Sequence, residues 1–470
     1  MTSVLEAVSI ESPNGGSANE RRALHRRFQD RLTVDPSLAR KVVSYQGNRQ
    51  TPGFRWLKYK EGFSRKLVGD LIGEFRPEAV LDPFAGIGTA PLVAAGQGRA
   101  GTGIEILPLG IEVARGIAYA ANGLDPDAFA RMAKALIAHV EHGDDAPGEY
   151  GFRHVPITES AFPKETEPLL AKARRFVGSV DDWGMRTLLN LACMSVLEDV
   201  SYTRKDGQYL RWDFRSGRAL RAHVNKGAIL PFQSALESRL GQMLDDLQSL
   251  KAEYGKGTPR LLSGSCLEFL PTLPEGSFDM VITSPPYANR YDYTRTYALE
   301  LAWLGFTHED FSALRQRMLS ATVENKSKRS WLESAYGPSD LLGHAINMFE
   351  NEGALQEVLA TLRGCVRELS NAHVIRLLEG YFLEMALVVA ELGRVVKPGG
   401  TVVMVNDNVQ YHGEEVPVDL ILSDYAEQCG FTCKQIWVLP RGKGNSSQQM
   451  GRFGRRELRK CVYWWVRDND

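Results

Sequence analysis

The sequence contains few cysteines, and their spacing matches neither a metal site nor a disulfide framework. None of the six cysteines stands in a Cys-x-x-Cys pair, which disfavours the common zinc motifs and favours buried thiols in a reducing compartment. The chain also lacks an apolar run long enough to span a bilayer, and residues 1–16 lack the pattern of a signal peptide. These absences predict a cytoplasmic protein with no membrane segment and no metal ion.

An excess of charge of one sign is lacking too. Because the formal net charge is −1, the chain has no overall field that attracts nucleic acid, and any nucleic-acid contact must depend on a local patch. The 470 residues exceed one typical core, which predicts one large elaborated domain or two to three modules.

The stretch around which the chain is organised is residues 283–287, Thr-Ser-Pro-Pro-Tyr, at the end of the apolar run 279–282. Two consecutive prolines cannot continue a central strand, because neither carries an N–H for the ladder. A short buried strand should therefore end here and place Tyr287 past its carboxyl end, where ligands bind in open α/β sheets. Ser284 and the Pro285 carbonyl can accept hydrogen bonds from an amino-bearing base, and Tyr287 can stack on it. An ordinary strand-to-loop turn is the alternative.

A second stretch, residues 82–89 (Asp-Pro-Phe-Ala-Gly-Ile-Gly-Thr), follows another apolar strand. Gly86 and Gly88 allow the backbone to turn tightly against a ligand, and Thr89 is predicted to cap the next helix. The Asp82 carboxylate would repel a pyrophosphate. The stretch therefore suits an amino acid moiety better than a phosphate.

Together the two stretches resemble the amino-group DNA methyltransferases, which use S-adenosylmethionine (SAM). Residues 82–89 look like the cofactor loop of that family, and residues 283–287 look like its catalytic motif, in the Ser-Pro-Pro-Tyr form associated with N4 of cytosine. Members that methylate N6 of adenine more often carry Asp or Asn where this chain has Ser284. The resemblance implies an α/β fold with a Rossmann-like SAM methyltransferase sheet, mostly parallel with an antiparallel C-terminal strand. A mixed insertion and a helical insertion, which the resemblance does not cover, are expected in addition.

The resemblance also implies a cofactor site built from several strand ends. Phe63 and Ser64, ahead of a helix predicted at 65–75, match a segment that packs over the methionine end of SAM. Glu105 follows the second strand, where an acidic side chain can hold ribose hydroxyls, and Ser265 stands where the family often has an Asp against the adenine. The expected cofactor-binding residues are Phe63, Ser64, Asp82, Phe84, Ala85, Gly86, Gly88, Thr89, Glu105, Ile106, Ser265 and Cys266, and the expected catalytic residues are Ser284, Pro285, Pro286 and Tyr287.

The expected chemistry is a direct methyl transfer to an amino group. Ser284 Oγ and the Pro285 carbonyl would accept both amino hydrogens and point the lone pair of cytosine N4 at the methyl carbon, while Tyr287 holds a base flipped out of the duplex. A covalent mechanism through carbon 5 would need a nucleophilic cysteine in a Pro-Cys context. The chain has no Pro-Cys, so that class is rejected.

Three segments outside the cofactor loop combine cations with aromatic or amide side chains, as DNA-contacting surfaces do. One is residues 201–218, for which a hairpin with an ordinary solvated face is the alternative. The second is the turn after Tyr287. The third is the glycine-rich basic loop 440–456, for which a flexible surface segment is the alternative. The expected DNA-binding residues are Asn289, Tyr291, Arg295, Arg204, Lys205, Arg441, Lys443, Gln448, Gln449 and Arg452.

The expected function is site-specific methylation of double-stranded DNA at N4 of cytosine, in a restriction–modification or related defence system with a cognate restriction endonuclease as a further partner. The alternatives are N6-adenine methylation, RNA amino-methylation and a catalytically idle SAM-binding recognition subunit, against which the intact catalytic motif argues. The expected domain order is a flexible tail (1–19), N-terminal helices with the SAM-binding half of the catalytic domain (20–124), an insertion for target recognition (125–258), the catalytic half (259–306), a helical insertion (307–371) and the C-terminal part of the sheet (372–470).

Overall fold

The computed structural model describes residues 12–38, 41–206, 209–218, 223–440, 453 and 457–469, and a central eight-stranded sheet organises these residues. The strands described are β1 (Leu32–Val34), β2 (Ala79–Asp82), β3 (Ala100–Glu105), β4 (Thr203–Asp206), β5 (Tyr209–Trp212), β6 (Arg260–Ser263), β7 (Phe278–Thr283), β8 (Val396–Asp407), β9 (Val409–Tyr411), β10 (Glu414–Val416), β11 (Phe431–Val438) and β12 (Lys460–Arg467). The spatial order of the sheet is β1-β11-β12-β8-β7-β2-β3-β6. Among its described strands only β12 runs antiparallel to its neighbours. The expected mostly parallel sheet with an antiparallel C-terminal strand is confirmed.

The central strands are apolar on both faces because the sheet lies between two hydrophobic layers. In β7, Met280 and Ile282 belong to one buried cluster and Val281 to the other. Successive side chains of a strand point to opposite faces, and a parallel sheet covered on both faces reads as a continuous apolar run. This explains why the strands that precede both motifs were visible in the sequence.

Helices cover both faces of the sheet. The helices described are α1 (Asn19–Phe28), α2 (Arg65–Phe75), α3 (Thr89–Gly96), α4 (Pro108–Asn122), α5 (Pro126–His142), α6 (Thr166–Gly178), α7 (Trp183–Ser195), α8 (Phe232–Tyr254), α9 (Cys266–Phe269), α10 (Tyr293–Thr296), α11 (Ala298–Trp303), α12 (His308–Arg317), α13 (Arg329–Tyr336), α14 (Asp340–Asn351), α15 (Gly353–Gly364), α16 (His373–Val395) and α17 (Val418–Gln428). Among these helices, none has the length and apolarity needed to cross a membrane.

One expectation about a helix start needs correction, and the described part of the N-terminal segment makes specific contacts. Thr89 does not cap α3: it is the first helical residue, and the N-cap is Gly88, with φ 80° and no side-chain hydrogen bond. The described part of the expected flexible tail contacts the β9–β10 hairpin, because Ser12 Oγ donates to Glu414 at 2.7 Å and Asn14 Nδ2 donates to the His412 carbonyl at 2.7 Å. Ser12 and Asn14 thus bond to residues far along the chain, although the composition of their segment predicts a tail.

The two motifs follow neighbouring strands at the point where the chain changes direction across the sheet. From β2 the chain continues to β3 on one side, whereas from β7 it continues to β8 on the other side. The strands β2 and β7 pair in parallel, with Val80 opposite Met280 and Leu81 opposite Val281. A crevice therefore opens between their carboxyl ends, which is where open α/β sheets bind ligands.

Candidate active site

A cavity of about 310 Å³ lies over the carboxyl ends of β2, β3 and β7. Its volume falls within the range of small-molecule sites, which begins at about 300 Å³. Most residues of both motifs line it, and so do most of the other predicted cofactor-binding residues. The lining includes Phe63, Asp82, Phe84, Ala85, Gly86, Thr89, Glu105, Ile106, Ser265, Cys266, Ser284, Pro285, Pro286, Tyr287, Asn289 and Tyr291.

Two of the predicted cofactor residues do not line this cavity. Ser64 is buried, and its Oγ donates to the Val42 carbonyl at 2.7 Å and accepts from the Leu67 N–H at 3.2 Å. Gly88 has a positive φ, and a Cβ there would lie 2.7 Å from the Ala114 Cβ. Ser64 therefore fixes the start of α2 and Gly88 the start of α3, so both shape the site without facing it.

A buried hydrogen bond joins the two motifs. Thr283 Oγ1 donates to Asp82 Oδ1 at 2.6 Å, and the same oxygen accepts the Phe84 N–H at 3.0 Å. Asp82 is 1% exposed, and burial raises the pKa of its carboxyl to about 7, although both hydrogen bonds lower it. Residues 82–89 and residues 283–287, the Ser-Pro-Pro-Tyr turn, are thus held at one rim of the sheet.

Glu105 holds the glycine loop from the neighbouring strand. Its carboxylate accepts the Gly86 N–H at 2.7 Å and the Leu107 N–H at 2.6 Å. Burial raises the pKa of Glu105 to about 7, and repulsion from the Asp82 carboxylate adds to the rise. Gly86 has φ +56°, and a Cβ there would lie 3.0 Å from the Tyr59 ring, so the tight loop depends on glycine.

The Ser-Pro-Pro-Tyr turn continues into a row of polar groups along one wall of the cavity. Ser284 Oγ lies 3.3 Å from the Tyr287 hydroxyl, and Lys460 Nζ donates to that hydroxyl at 3.4 Å. Lys460 also forms an ion pair with Asp407, at 3.0 Å. Burial raises the pKa of Tyr287. Burial lowers the pKa of Lys460, but Asp407 and Tyr287 together outweigh it, so the pKa of Lys460 is raised. The phenol and the ammonium therefore both keep their protons at neutral pH.

Lys460 and Asp407 line the cavity, and sequence reasoning missed both. They stand opposite each other in the antiparallel ladder of β12 and β8. A strand was predicted to begin at Lys460, but the register that places it beside Tyr287 is not encoded in any local spacing.

The backbone after the Ser-Pro-Pro-Tyr turn is held in a rare conformation. The Asn289 N–H donates to the Tyr287 carbonyl at 2.7 Å, and Arg290 has φ +67°. The Tyr411 hydroxyl donates to the Ala288 carbonyl. A non-glycine residue at such a φ costs on the order of 1–3 kcal/mol and persists where surrounding contacts enforce it, often at functional sites.

An aromatic wall closes the cavity on the side of the segment before α2. Tyr59 stacks on Tyr297, with ring centroids 5.2 Å apart and planes at 17°. The Tyr297 hydroxyl donates to Glu61 and accepts the Lys60 N–H at 3.0 Å. Burial raises the pKa of Glu61. Sequence reasoning missed Tyr59 and Glu61, although the density of aromatic residues just before Phe63 was a signal.

The hairpin of β4 and β5 has one inner and one outer face. Thr203, Lys205 and Trp212 are buried on the inner face. Arg204 and Arg211 stand opposite each other on the outer face and are exposed. The segment thus forms the two-stranded hairpin named above as the alternative, and DNA contact by its outer face stays a prediction.

The expected DNA contact of Lys205 is wrong. The side chain is buried, its ammonium forms an ion pair with Glu300, and it lies 4.7 Å from the centroid of the Tyr297 ring. An ammonium held in this way supports the aromatic wall and does not reach a phosphate.

The remaining predicted DNA-contacting residues fall into three groups: two line the cavity, one lies at the surface, and five lie outside the described residues. Asn289 and Tyr291 line the cavity, and Tyr291 packs edge-on against Tyr293 with ring centroids 4.9 Å apart. Arg295 is 43% exposed and pairs with Glu324 at 2.8 Å. The residues predicted in the basic loop lie outside the described residues: Arg441, Lys443, Gln448, Gln449 and Arg452.

The fold and the site define a Rossmann-like methyltransferase. The chain belongs to the Type II methyltransferases. It is 42% identical over 466 residues to the Type II methyltransferase M.AvaI of Nostoc sp. and of Anabaena variabilis, covering 94% of this chain and 92% of that protein. It is 38% identical over 477 residues to the Type II methyltransferase M.BsoBI of Geobacillus stearothermophilus, covering 95% and 92%. No family model and no solved structure matches the chain.

Proposed function

We propose that this protein is a SAM-dependent, site-specific DNA methyltransferase that modifies N4 of cytosine in a flipped-out base. The observation that carries the proposal is the hydrogen bond between Thr283 and Asp82, because it holds a cofactor loop and a Ser-Pro-Pro-Tyr turn in one cavity. The Type II relatives support a role in restriction–modification, with double-stranded DNA as substrate and a cognate endonuclease as a further partner.

The cavity suits SAM in its donor and acceptor groups. Two buried carboxylates whose pKa values are raised to about 7 would gain from an ammonium, a sulfonium or hydroxyl donors. Asp82 and the N-terminus of α3 would hold the amino acid moiety, and Glu105 the ribose. Ile106 and Ser265 would contact the adenine. The cofactor supplies an activated methyl group when bound.

The residues of the Ser-Pro-Pro-Tyr turn would then position the target base and its amino group relative to the methyl donor. Ser284 Oγ and the Pro285 carbonyl accept the two amino hydrogens and make N4 more tetrahedral, and Tyr287 stacks on the base. Methyl transfer, with the thioether as leaving group, would leave N4 positively charged and acidic. Its extra proton would then pass to water, and Ser284 Oγ would only hold the N–H in position. We propose cytosine as the target base, and not adenine, because Ser284 stands where members of the family that methylate adenine more often carry Asp or Asn.

The hairpin of β4 and β5 supports the assignment of residues 125–258 to target recognition. A two-stranded ribbon fits the major groove of DNA, and the outer face of this one carries Arg204 and Arg211. The ribbon lies beside the cavity, because Lys60 lines the cavity and its Nζ donates to the Lys205 carbonyl. We extend the proposal to the turn with Asn289, Tyr291 and Arg295 and to the basic loop 440–456.

The test is nucleoside mass spectrometry of unmodified plasmid DNA after incubation with the protein and methyl-labelled SAM. We expect labelled N4-methylcytosine with the native protein and none with Ser284→Ala, which serves as the matched inactive variant. Labelled N6-methyladenine instead would replace the proposal with its first alternative. Label in a parallel RNA sample but not in DNA would overturn the choice of substrate.

A further inference from the structure

A lysine of the last strand stands at the far end of the polar wall that begins with the catalytic serine. The wall runs from Ser284 through the Tyr287 hydroxyl to Lys460, with neighbouring polar atoms 3.3 and 3.4 Å apart. The Lys460 ammonium also lies 5.2 Å from the centroid of the Tyr287 ring. A base stacked on Tyr287 would therefore have the ammonium beside its edge.

Lys460 can be reached from the cavity and is aimed by its partner. Its side chain is 26% exposed and that of Asp407 is 37% exposed, and both line the cavity. The antiparallel ladder places Lys460 directly opposite Asp407, so the ion pair at 3.0 Å holds the ammonium at the rim. Three N–H donors on one ammonium allow a further hydrogen bond to a ligand.

The edge of cytosine supplies an acceptor at the corresponding position. Next to the N4 amino group come the ring nitrogen N3 and then the carbonyl O2, whereas adenine carries only a C–H where cytosine carries O2. If Ser284 and Pro285 hold the amino group, N3 lies nearest to them and O2 lies farther along the edge. A base whose N3–O2 edge follows the wall from Ser284 past the Tyr287 hydroxyl would present its O2 to Lys460.

We infer that Lys460 donates a hydrogen bond to O2 of the flipped base and thereby selects cytosine over adenine. The inference rests on the proposed function and names a specificity residue for it. Hydrogen bonds to charged groups are roughly twice as strong as neutral ones. Asp407 balances the positive charge, which limits the electron density that the ammonium withdraws from N4.

The test compares two substrates and three proteins. The duplex carries a site that the native protein methylates, located beforehand by sequencing DNA that the protein has modified. Its target is either cytosine or a carbon-linked 2-aminopyridine nucleoside, which keeps the amino group and the adjacent ring nitrogen but has hydrogen in place of O2. For the native protein, kcat/KM should be about tenfold or more higher for cytosine than for the analogue. For Lys460→Met the two values should be equal within about twofold.

Lys397→Met is the matched control, because Lys397 forms a comparable ion pair with Asp279, at 2.7 Å, at the opposite end of β7 and β8. It should keep the native preference for cytosine. Calorimetry of SAM binding by Lys460→Met serves as the control that the cofactor site of this variant is intact. A preference that persists in Lys460→Met, or is absent in the native protein, overturns the role of Lys460 while leaving N4 methylation in place. N6-methyladenine as the native product overturns the proposed function itself.

Discussion

Thr283 Oγ1 donates a hydrogen bond of 2.6 Å to Asp82 Oδ1, although the two residues lie 201 positions apart in the chain. The bond is buried and crosses from the last residue of β7 to the last residue of β2. Any displacement of one motif relative to the other must break it. The relative position of methyl donor and acceptor in the proposed reaction depends on this contact.

Thr283→Val should lower the free energy of unfolding by about 1–3 kcal/mol and weaken SAM binding. The substitution keeps the shape of the side chain but leaves a buried carboxyl without its hydroxyl donor. Denaturant titration and calorimetry measure the two effects. Thr432→Val is the matched control, because Thr432 makes the same type of bond to Asp468, at 2.6 Å, on the exposed surface. Equal losses in both variants would remove the special role of the buried bond.

Ser284→Ala and Tyr287→Ala should each abolish methylation while SAM binding stays largely intact, because both residues act on the base. Asp82→Ala and Gly86→Trp should do the reverse and abolish SAM binding. At Gly86 even a Cβ would lie 3.0 Å from Tyr59, so an indole must displace the loop. Calorimetry with SAM and a filter assay with labelled SAM separate the two effects. If all four variants lost SAM binding, the division of roles between the motifs would be wrong.

SAM affinity should rise as the pH increases through about 7. Burial raises the pKa of Asp82 and of Glu105 to about 7, so the free protein keeps protons there that the unfolded chain releases near pH 4. As the pH rises from about 4 to about 7, the native state therefore loses stability relative to the unfolded chain, because it still holds protons that the unfolded chain has released. The cationic groups of SAM favour the ionised carboxylates, and binding must release protons. Calorimetry at pH 7 in two buffers of different ionisation enthalpy measures that release, which should shrink in Asp82→Asn. Identical apparent enthalpies in both buffers would contradict the expectation.

Replacing Arg204 and Arg211 together by Gln should weaken DNA binding and reduce its salt dependence. Each lost phosphate contact lowers the slope of log K against log salt by about 1, so the double variant should lose about 2. Fluorescence anisotropy with one duplex at several salt concentrations gives the slope. The control removes two exposed cations, Lys256 and Arg260, at the amino-terminal edge of the sheet. A larger loss of slope in the control would place the DNA on that edge.

The strands and loops of both motifs could be predicted because local chemistry determines them. Prolines at Pro285 and Pro286 end β7, glycines turn the chain after β2, and the apolar runs reflect burial on both faces. Errors occurred where tertiary contacts decided the outcome. Lys205 sits in a segment that alternates polar and aromatic residues, yet an ion pair with Glu300, 95 residues away, turns it inward. Lys460 could not be found because its place depends on strand register.

The reversed direction of β12 has a geometric consequence for the rim of the cavity. In a parallel strand the last residue reaches the carboxyl edge, but in β12 the first residue does, so the end of β11 and the start of β12 meet there: the Leu439 N–H donates to the Lys460 carbonyl at 2.9 Å. The chain leaves the sheet after Leu439 and rejoins it at Lys460, whose side chain lines the cavity. The length of the connection between these two residues can therefore change without shifting any strand pair, and Lys460 keeps its place beside Tyr287 however long that connection is.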